Sequence, residues 1–235
     1  MSVAIVGAGP GDPGLITVRA LELVQQCEVL VYDRLVSPEL VAQAVGAVRV
    51  ARDNLTQDEV NHALVHHGRL GRRVVRLKGG DPFLFGRGGE EALALAEAGV
   101  PFEIIPGVSS LASVPGSAGI PVTHRGVASA VTAFAAHDVE GLDAAALAAT
   151  PGTLVGFMGL AGLARLAERL VEHGRPASTP AAVVSAGTTD HEQVVTAPLG
   201  AIARAAEDLP TPALVVVGEV VALRASLRAV RRSAA

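Results

Sequence analysis

The first half of the chain alternates short β-branched runs with helix-forming stretches, and that alternation restricts the fold more than any other feature. Strand patterns fall at residues 3–6, 28–32, 48–51, 73–77 and 102–105. Between them, Thr56 and Glu59 make a capping box that opens a helix. The Ala/Leu-rich stretch 90–98 runs into Gly99 as its C-terminal cap. Strand–helix–strand alternation predicts a mostly parallel sheet with right-handed crossovers. The second half is α/β again, with strands predicted at 127–135, 153–157, 181–185, 193–196 and 213–217. Residues 183–196 break only briefly, at Gly187, which predicts a hairpin and so a mixed second sheet. Residues 115–126, PGSAGIPVTHRG, are dense in glycine and proline and read as a hinge. The expected architecture is therefore two α/β domains, 1–118 and 119–235, and a chain that is 50% hydrophobic can supply a core to each.

Composition then narrows the function classes. A net charge of −4 gives a nucleic acid no global attraction, and 3% aromatics argue against a base-stacking platform. No apolar run is long enough for a membrane span. The lone Cys27 cannot form an intrachain disulfide, which fits a reducing compartment. The first strand pattern starts at Val3, which is read as leaving no room for a signal peptide. The expectation is a cytoplasmic protein with no nucleic-acid or membrane partner.

The chemistry-bearing residues follow the strands of the first half. In VAIVGAGPGDPGLIT, residues 3–17, a buried strand ends in a glycine turn. Asp12 and Pro13 then read as the N-cap and first residue of a helix. The dinucleotide fingerprint G-x-G-x-x-G is broken, because Asp12 stands at its last glycine and Pro10 removes an amide donor. A pyrophosphate needs free N–H groups and little negative charge. Asp33 ends the second strand, and Lys78–Glu91, KGGDPFLFGRGGEE, follows the fourth. Residues 106–110 follow the fifth. In a parallel sheet all four places share the carboxyl edge, where ligands bind. Each taken alone is also an ordinary βα turn. Gly79 and Gly80 would let a ligand approach backbone, and Asp81 would supply an acceptor. Phe83 and Phe85 are expected to pack the loop, with flanking a ring as the alternative. His62 and His66 stand four apart on a helix without a third ligand, so they read as surface histidines and no metal site is expected. Arg228, Arg231 and Arg232 read as a solvated face.

Those segments together resemble the tetrapyrrole methylase family, and within it the uroporphyrinogen III C-methyltransferases. The resemblance runs through GAGPGDPGLIT, VYDRLVS at 31–37, RLKGGDPFLFGRGGEE at 76–91, PGVSS at 106–110 and GIPVTHR at 119–125. It continues in FMGL at 157–160, SAGTT at 185–189 and TPALVVVGEVVALR at 211–224. It implies two α/β domains with the cofactor in the cleft between them, a homodimer, and S-adenosylmethionine as methyl donor, with S-adenosylhomocysteine as product. It implies two C-methylations of uroporphyrinogen III, at C2 and C7, giving precorrin-2 for sirohaem or cobalamin synthesis. Carried over by position, the cofactor contacts are Pro10, Gly79, Gly80, Asp81, Leu84, Ser109, Ser110, Met158 and Gly187. The catalytic positions are Asp33, as acid–base residue, and Arg52. Arg52 stands where the family has a lysine, in a segment that is several residues shorter here. Arginine stays protonated, which suits holding a substrate carboxylate and not donating a proton. Arg34, Arg87, His124 and Arg125 are the substrate-binding candidates; for His124 and Arg125 a role in capping the hinge is the alternative. Two other functions remain open from the residues: a methylase acting on a later corrinoid, a protein or RNA, and a nucleotide-binding module without catalysis.

Overall fold

The computed structural model describes residues 2–53 and 55–227, so Arg228, Arg231 and Arg232 lie outside the described residues. The chain divides into two compact units, Met1–Ser110 and Leu111–Ala235.

In the first unit the strands are β1 (Val3–Gly7), β2 (Val29–Tyr32), β3 (Val48–Ala51), β4 (Val74–Lys78) and β5 (Phe102–Ile105). They form one sheet in the order β3-β2-β4-β1-β5, and every pairing is parallel. The side-chain period of two gives the sheet two apolar faces. Ala4, Val6, Leu30, Val75 and Leu77 pack with Ala20 and Val24 of α1 (Val18–Gln26) and Leu40 and Val41 of α2 (Pro38–Ala42). Val3, Ile5, Val29, Val31 and Val74 pack on the other face with Val60 and Leu64 of α3 (Gln57–Arg69) and Leu95 of α4 (Gly88–Glu97). The chain leaves β1 toward β2 but leaves β4 toward β5, so the neighbours β4 and β1 mark where the connections reverse. Ligands of open parallel sheets sit outside that point. The expected cap at Asp12 opens only a 3₁₀ turn, Pro13–Leu15; the helix proper starts after Thr17, whose hydroxyl accepts from the Ala20 amide.

In the second unit β6 (Val131–Ala135), β7 (Thr153–Phe157), β8 (Pro180–Ser185), β9 (Gln193–Pro198) and β10 (Ala213–Val217) make a sheet in the order β6-β7-β10-β8-β9. It is mixed: β6 and β7 are parallel, while β10 runs antiparallel to β7 and β8. The hairpin expected across residues 183–196 is the antiparallel pair β8–β9. The contacts divide the chain after Ser110, where the sequence reading places the division after residue 118. Pro115–Ser117 finish α5 (Ser110–Ser117), and Val114, Ala118 and Ile120 are buried with Val155, Val184 and Val216 in the second unit's core. Glycine and proline are dense there because the chain turns tightly against that core. The strand expected from residue 127 starts only at Val131, because His124 and Ala128 exchange backbone hydrogen bonds of 2.9 Å and close a turn first.

Candidate functional site

The glycine loops at the carboxyl edge of the first sheet are packed on one another. A Cβ on Gly7 would lie 2.5 Å from Gly107 Cα, and one on Gly107 would lie 2.2 Å from the Gly80 carbonyl oxygen. Gly9 and Gly80 exchange backbone hydrogen bonds of 3.3 and 2.7 Å. These glycines are therefore required by the approach of three chain segments, after β1, β4 and β5. Asp81 completes the join: its carboxylate accepts from the Phe83 amide at 2.9 Å and the Gly107 amide at 3.1 Å. Gly80 holds φ +65° and faces Ser110 Oγ, 3.3 Å from where a Cβ would sit. Pro10, Gly79, Gly80, Asp81 and Ser110 thus fall on one edge of one unit, with Ser109 and Leu84 in the same loops. Phe83 and Phe85 depart from expectation. They are 58% and 41% exposed, although the Phe83 ring still touches its own loop, its Cδ1 3.0 Å from where a Cβ on Gly88 would sit.

Asp33 stands just past β2 on the same edge, and its partners were not foreseen. Arg76 Nη2 donates to Asp33 Oδ1, and Lys78 Nζ lies 3.8 Å from Asp33 Oδ2. Arg76 and Lys78 are two apart on β4, so both point to the α3/α4 face, and both are fully buried. Glu91, in the first turn of α4 and equally buried, accepts from Arg76 Nε at 3.0 Å and Lys78 Nζ at 2.8 Å. Burial and the neighbouring Arg76 push the Lys78 ammonium below the ordinary lysine range, against the opposing pull of Glu91 and Asp33. The signal for this cluster was present in the sequence as Arg76-x-Lys78 inside an apolar strand. Two cations on a buried face demand buried acids, but only the packing of α4 reveals that Glu91 is one.

Arg52 follows β3 and donates to Gln57 Oε1 at 3.4 Å, while its Nε, though buried, has no hydrogen-bond partner. Arg34 is exposed. Arg87 is already engaged, donating to Glu90 at 2.8 and 2.6 Å.

In the second unit Met158 follows β7 and Gly187 follows β8. Those strands are both antiparallel to β10, so the two residues share one sheet edge. Met158 is 52% exposed at φ +57°. Gly187 packs on α5, where a Cβ would lie 2.5 Å from Val114 Cγ1. It sits between Ala186 at φ +46° and Thr188 at φ +70°, and Glu192 ties that loop to α5 by accepting from the Thr188 amide and Ser117 Oγ. Among the described residues, the non-glycine positions with positive φ are Phe85, Arg87, Met158, Ala186 and Thr188. All fall in or beside the segments singled out from sequence, as left-handed backbone tends to fall at functional sites. His124 and Arg125 are exposed on the turn before β6. Among the described residues no group of His, Cys, Asp and Glu is arranged to hold a metal, and no helix is long and apolar enough to cross a membrane. His62 is exposed on α3, its ring Nδ1 2.8 Å from the Asp58 carbonyl oxygen.

Residues 2–203 match the family model for tetrapyrrole (corrin/porphyrin) methylases. The siroheme synthase of Sodalis glossinidius is 48% identical over 94% of this chain and 49% of its own length. The chain thus spans about half the length of the curated relatives it matches. The uroporphyrin-III C-methyl transferase of Thermus thermophilus, solved in complex with S-adenyl homocysteine, superposes with a TM-score of 0.84 at 40% identity, covering 95% of this chain and 100% of that one. A cobalt precorrin-4 methyltransferase superposes with a TM-score of 0.86 at 28% identity, covering 94% and 95%.

Proposed function

We propose, from the premise that the chain belongs to the tetrapyrrole (corrin/porphyrin) methylase family, that it methylates uroporphyrinogen III at C2 and C7 with S-adenosylmethionine, giving precorrin-2. The placement of Asp33 carries the reading: a carboxylate at the carboxyl edge of the parallel sheet, held by Arg76 and Lys78 beside the packed glycine loops. Those loops suit this donor better than a dinucleotide. Asp12 and Asp81 put carboxylates where a phosphate would be repelled, whereas a sulfonium and a neutral nucleoside tolerate them.

When bound, the donor supplies an electrophilic methyl group on sulfur. Backbone of Gly79 and Gly80, with Pro10, Leu84, Ser109 and Ser110, would hold it in the first unit, and Met158 and Gly187 are the corresponding candidates in the second. An electron-rich pyrrole carbon takes the methyl as the C–S bond breaks, leaving S-adenosylhomocysteine and a ring that must shed a proton. Asp33 Oδ2 accepts that proton. Arg76, donating to Oδ1, keeps the carboxylate aimed. Arg34, Arg52, Arg87, His124 and Arg125 provide for the substrate's many carboxylates. Alignment and exclusion of water are the main contributions asked of the fold.

Incubation with uroporphyrinogen III and labelled donor, counting methyls per macrocycle, tests the reading; two are expected. Asp33→Asn keeps the shape and removes the base, so kcat falls by roughly 10²–10⁴ with donor binding intact. Single-turnover rates equal to wild type would overturn the assignment. A large loss of donor affinity would instead mark Asp33 as a ribose ligand.

A further inference from the structure

We infer that Glu91 is a positioning residue that holds Asp33, the proposed base, and Arg52, a proposed substrate-carboxylate ligand, in one bonded chain; this rests on the reading of Asp33 as the base. Glu91 Oε1 accepts from three donors: Arg76 Nε at 3.0 Å, Lys78 Nζ at 2.8 Å and Gln57 Nε2 at 3.3 Å. Arg76 reaches on to Asp33 through Nη2, and Gln57 Oε1 accepts from Arg52 at 3.4 Å. Arg52, Gln57, Glu91, Arg76 and Asp33 are therefore consecutive links, and Glu91 is the middle one.

A buried ion cluster is a poor way to gain stability, since apolar residues of similar volume usually serve as well or better. The same face of β4 already carries Val74 in the apolar core. Two cations and an acid kept at its carboxyl end are explained by what they orient. Neither Asp33 nor Arg52 is fully buried, and each would otherwise be free to turn.

The bonded chain predicts how its loss is felt. Glu91→Gln keeps the shape but removes the charge that holds Arg76, Lys78 and Gln57 together, so Asp33 loses its fixed placement and kcat falls. A role in stability alone would lower the unfolding midpoint and leave kcat per folded enzyme unchanged.

The experiment measures kcat and KM for Glu91→Gln, Gln57→Met and Asp33→Asn, with S-adenosylhomocysteine affinity by titration calorimetry and folding by circular dichroism. Expected for Glu91→Gln is a kcat loss of about tenfold or more, since slight misplacement of a reacting group is costly, with donor affinity within about twofold of wild type. Wild-type kcat in folded Glu91→Gln overturns the inference. If Glu91→Gln does not fold, Gln57→Met decides: cutting the chain on the Arg52 side must raise KM for the tetrapyrrole with kcat little changed, and an unmoved KM overturns the inference. Full turnover by Asp33→Asn means the reading of Asp33 has failed. Loss of turnover by Asp33→Asn with wild-type kinetics in the other two means only this inference has failed.

Discussion

Glycine at position 80 answers to two constraints that no other residue satisfies together. Its φ of +65° is left-handed, and its backbone pairs with Gly9 while its carbonyl oxygen sits against Gly107. A β-branched residue there is strained by about 1–3 kcal/mol and must push Ser110 away. Gly80→Val is therefore expected to lose affinity for S-adenosylhomocysteine in calorimetry and to unfold at lower urea. Gly89 is the control: its Cβ position is open and its φ is not left-handed, so Gly89→Val keeps donor affinity. Normal affinity in Gly80→Val would move the donor away from this loop. The requirement for glycine at 7, 9 and 80 was legible in the sequence, but its reason was not. Chain segments, not a phosphate, press on Gly7, because the parallel order places β1 between β4 and β5. The exposed Phe83 and Phe85 illustrate the converse, since a hydrophobic residue in a loop declares no partner of its own.

At the scale of elements, local signals specified most boundaries. The capping box of α3 forms as its spacing requires: Thr56 Oγ1 accepts from the Glu59 amide at 3.3 Å, and the Glu59 carboxylate accepts from the Thr56 amide at 2.7 Å. Thr56→Ala should cost about 1 kcal/mol in urea unfolding at neutral pH. The Thr56 amide, then its hydroxyl, hold the Glu59 carboxyl below the usual glutamate range. A depressed folded value means stability that is present above the unfolded value and lost as the pH falls through the folded one. The stability gap between wild type and Glu59→Gln should thus be open at neutral pH and close in acid. A gap that persists in acid would assign the cap to shape alone. What the local signals missed was the start of β6, which waits for the turn closed by His124 and Ala128. The glycine- and proline-dense stretch before it packs Ala118 and Ile120 into the second unit's core, a use that a sequence pattern does not distinguish from a linker.

For the molecule as a whole, the net charge is −4 although the proposed substrate is a polyanion. Recognition must then come from local cations and be screened by salt. Raising the ionic strength from about 0.05 to about 0.5 M should raise KM for the tetrapyrrole several-fold and leave donor affinity unchanged. Arg34→Ala or Arg125→Ala should weaken substrate binding by about tenfold, as for loss of a charge-assisted hydrogen bond. Arg87→Ala should cost less, because Glu90 already engages that guanidinium. Salt-independent KM would locate recognition elsewhere. The sequence by itself determined the α/β class, the parallel character of the first sheet, the mixed second sheet and the glycine loops at the first sheet's carboxyl edge, because period-two strands, caps and glycine turns are local physics. Only the tertiary structure decided which cation holds Asp33, that Glu91 lies under it, and where one unit ends and the next begins. Each of those depends on which face of β4 meets α4 and on which core buries α5, and residues distant in the chain settle both.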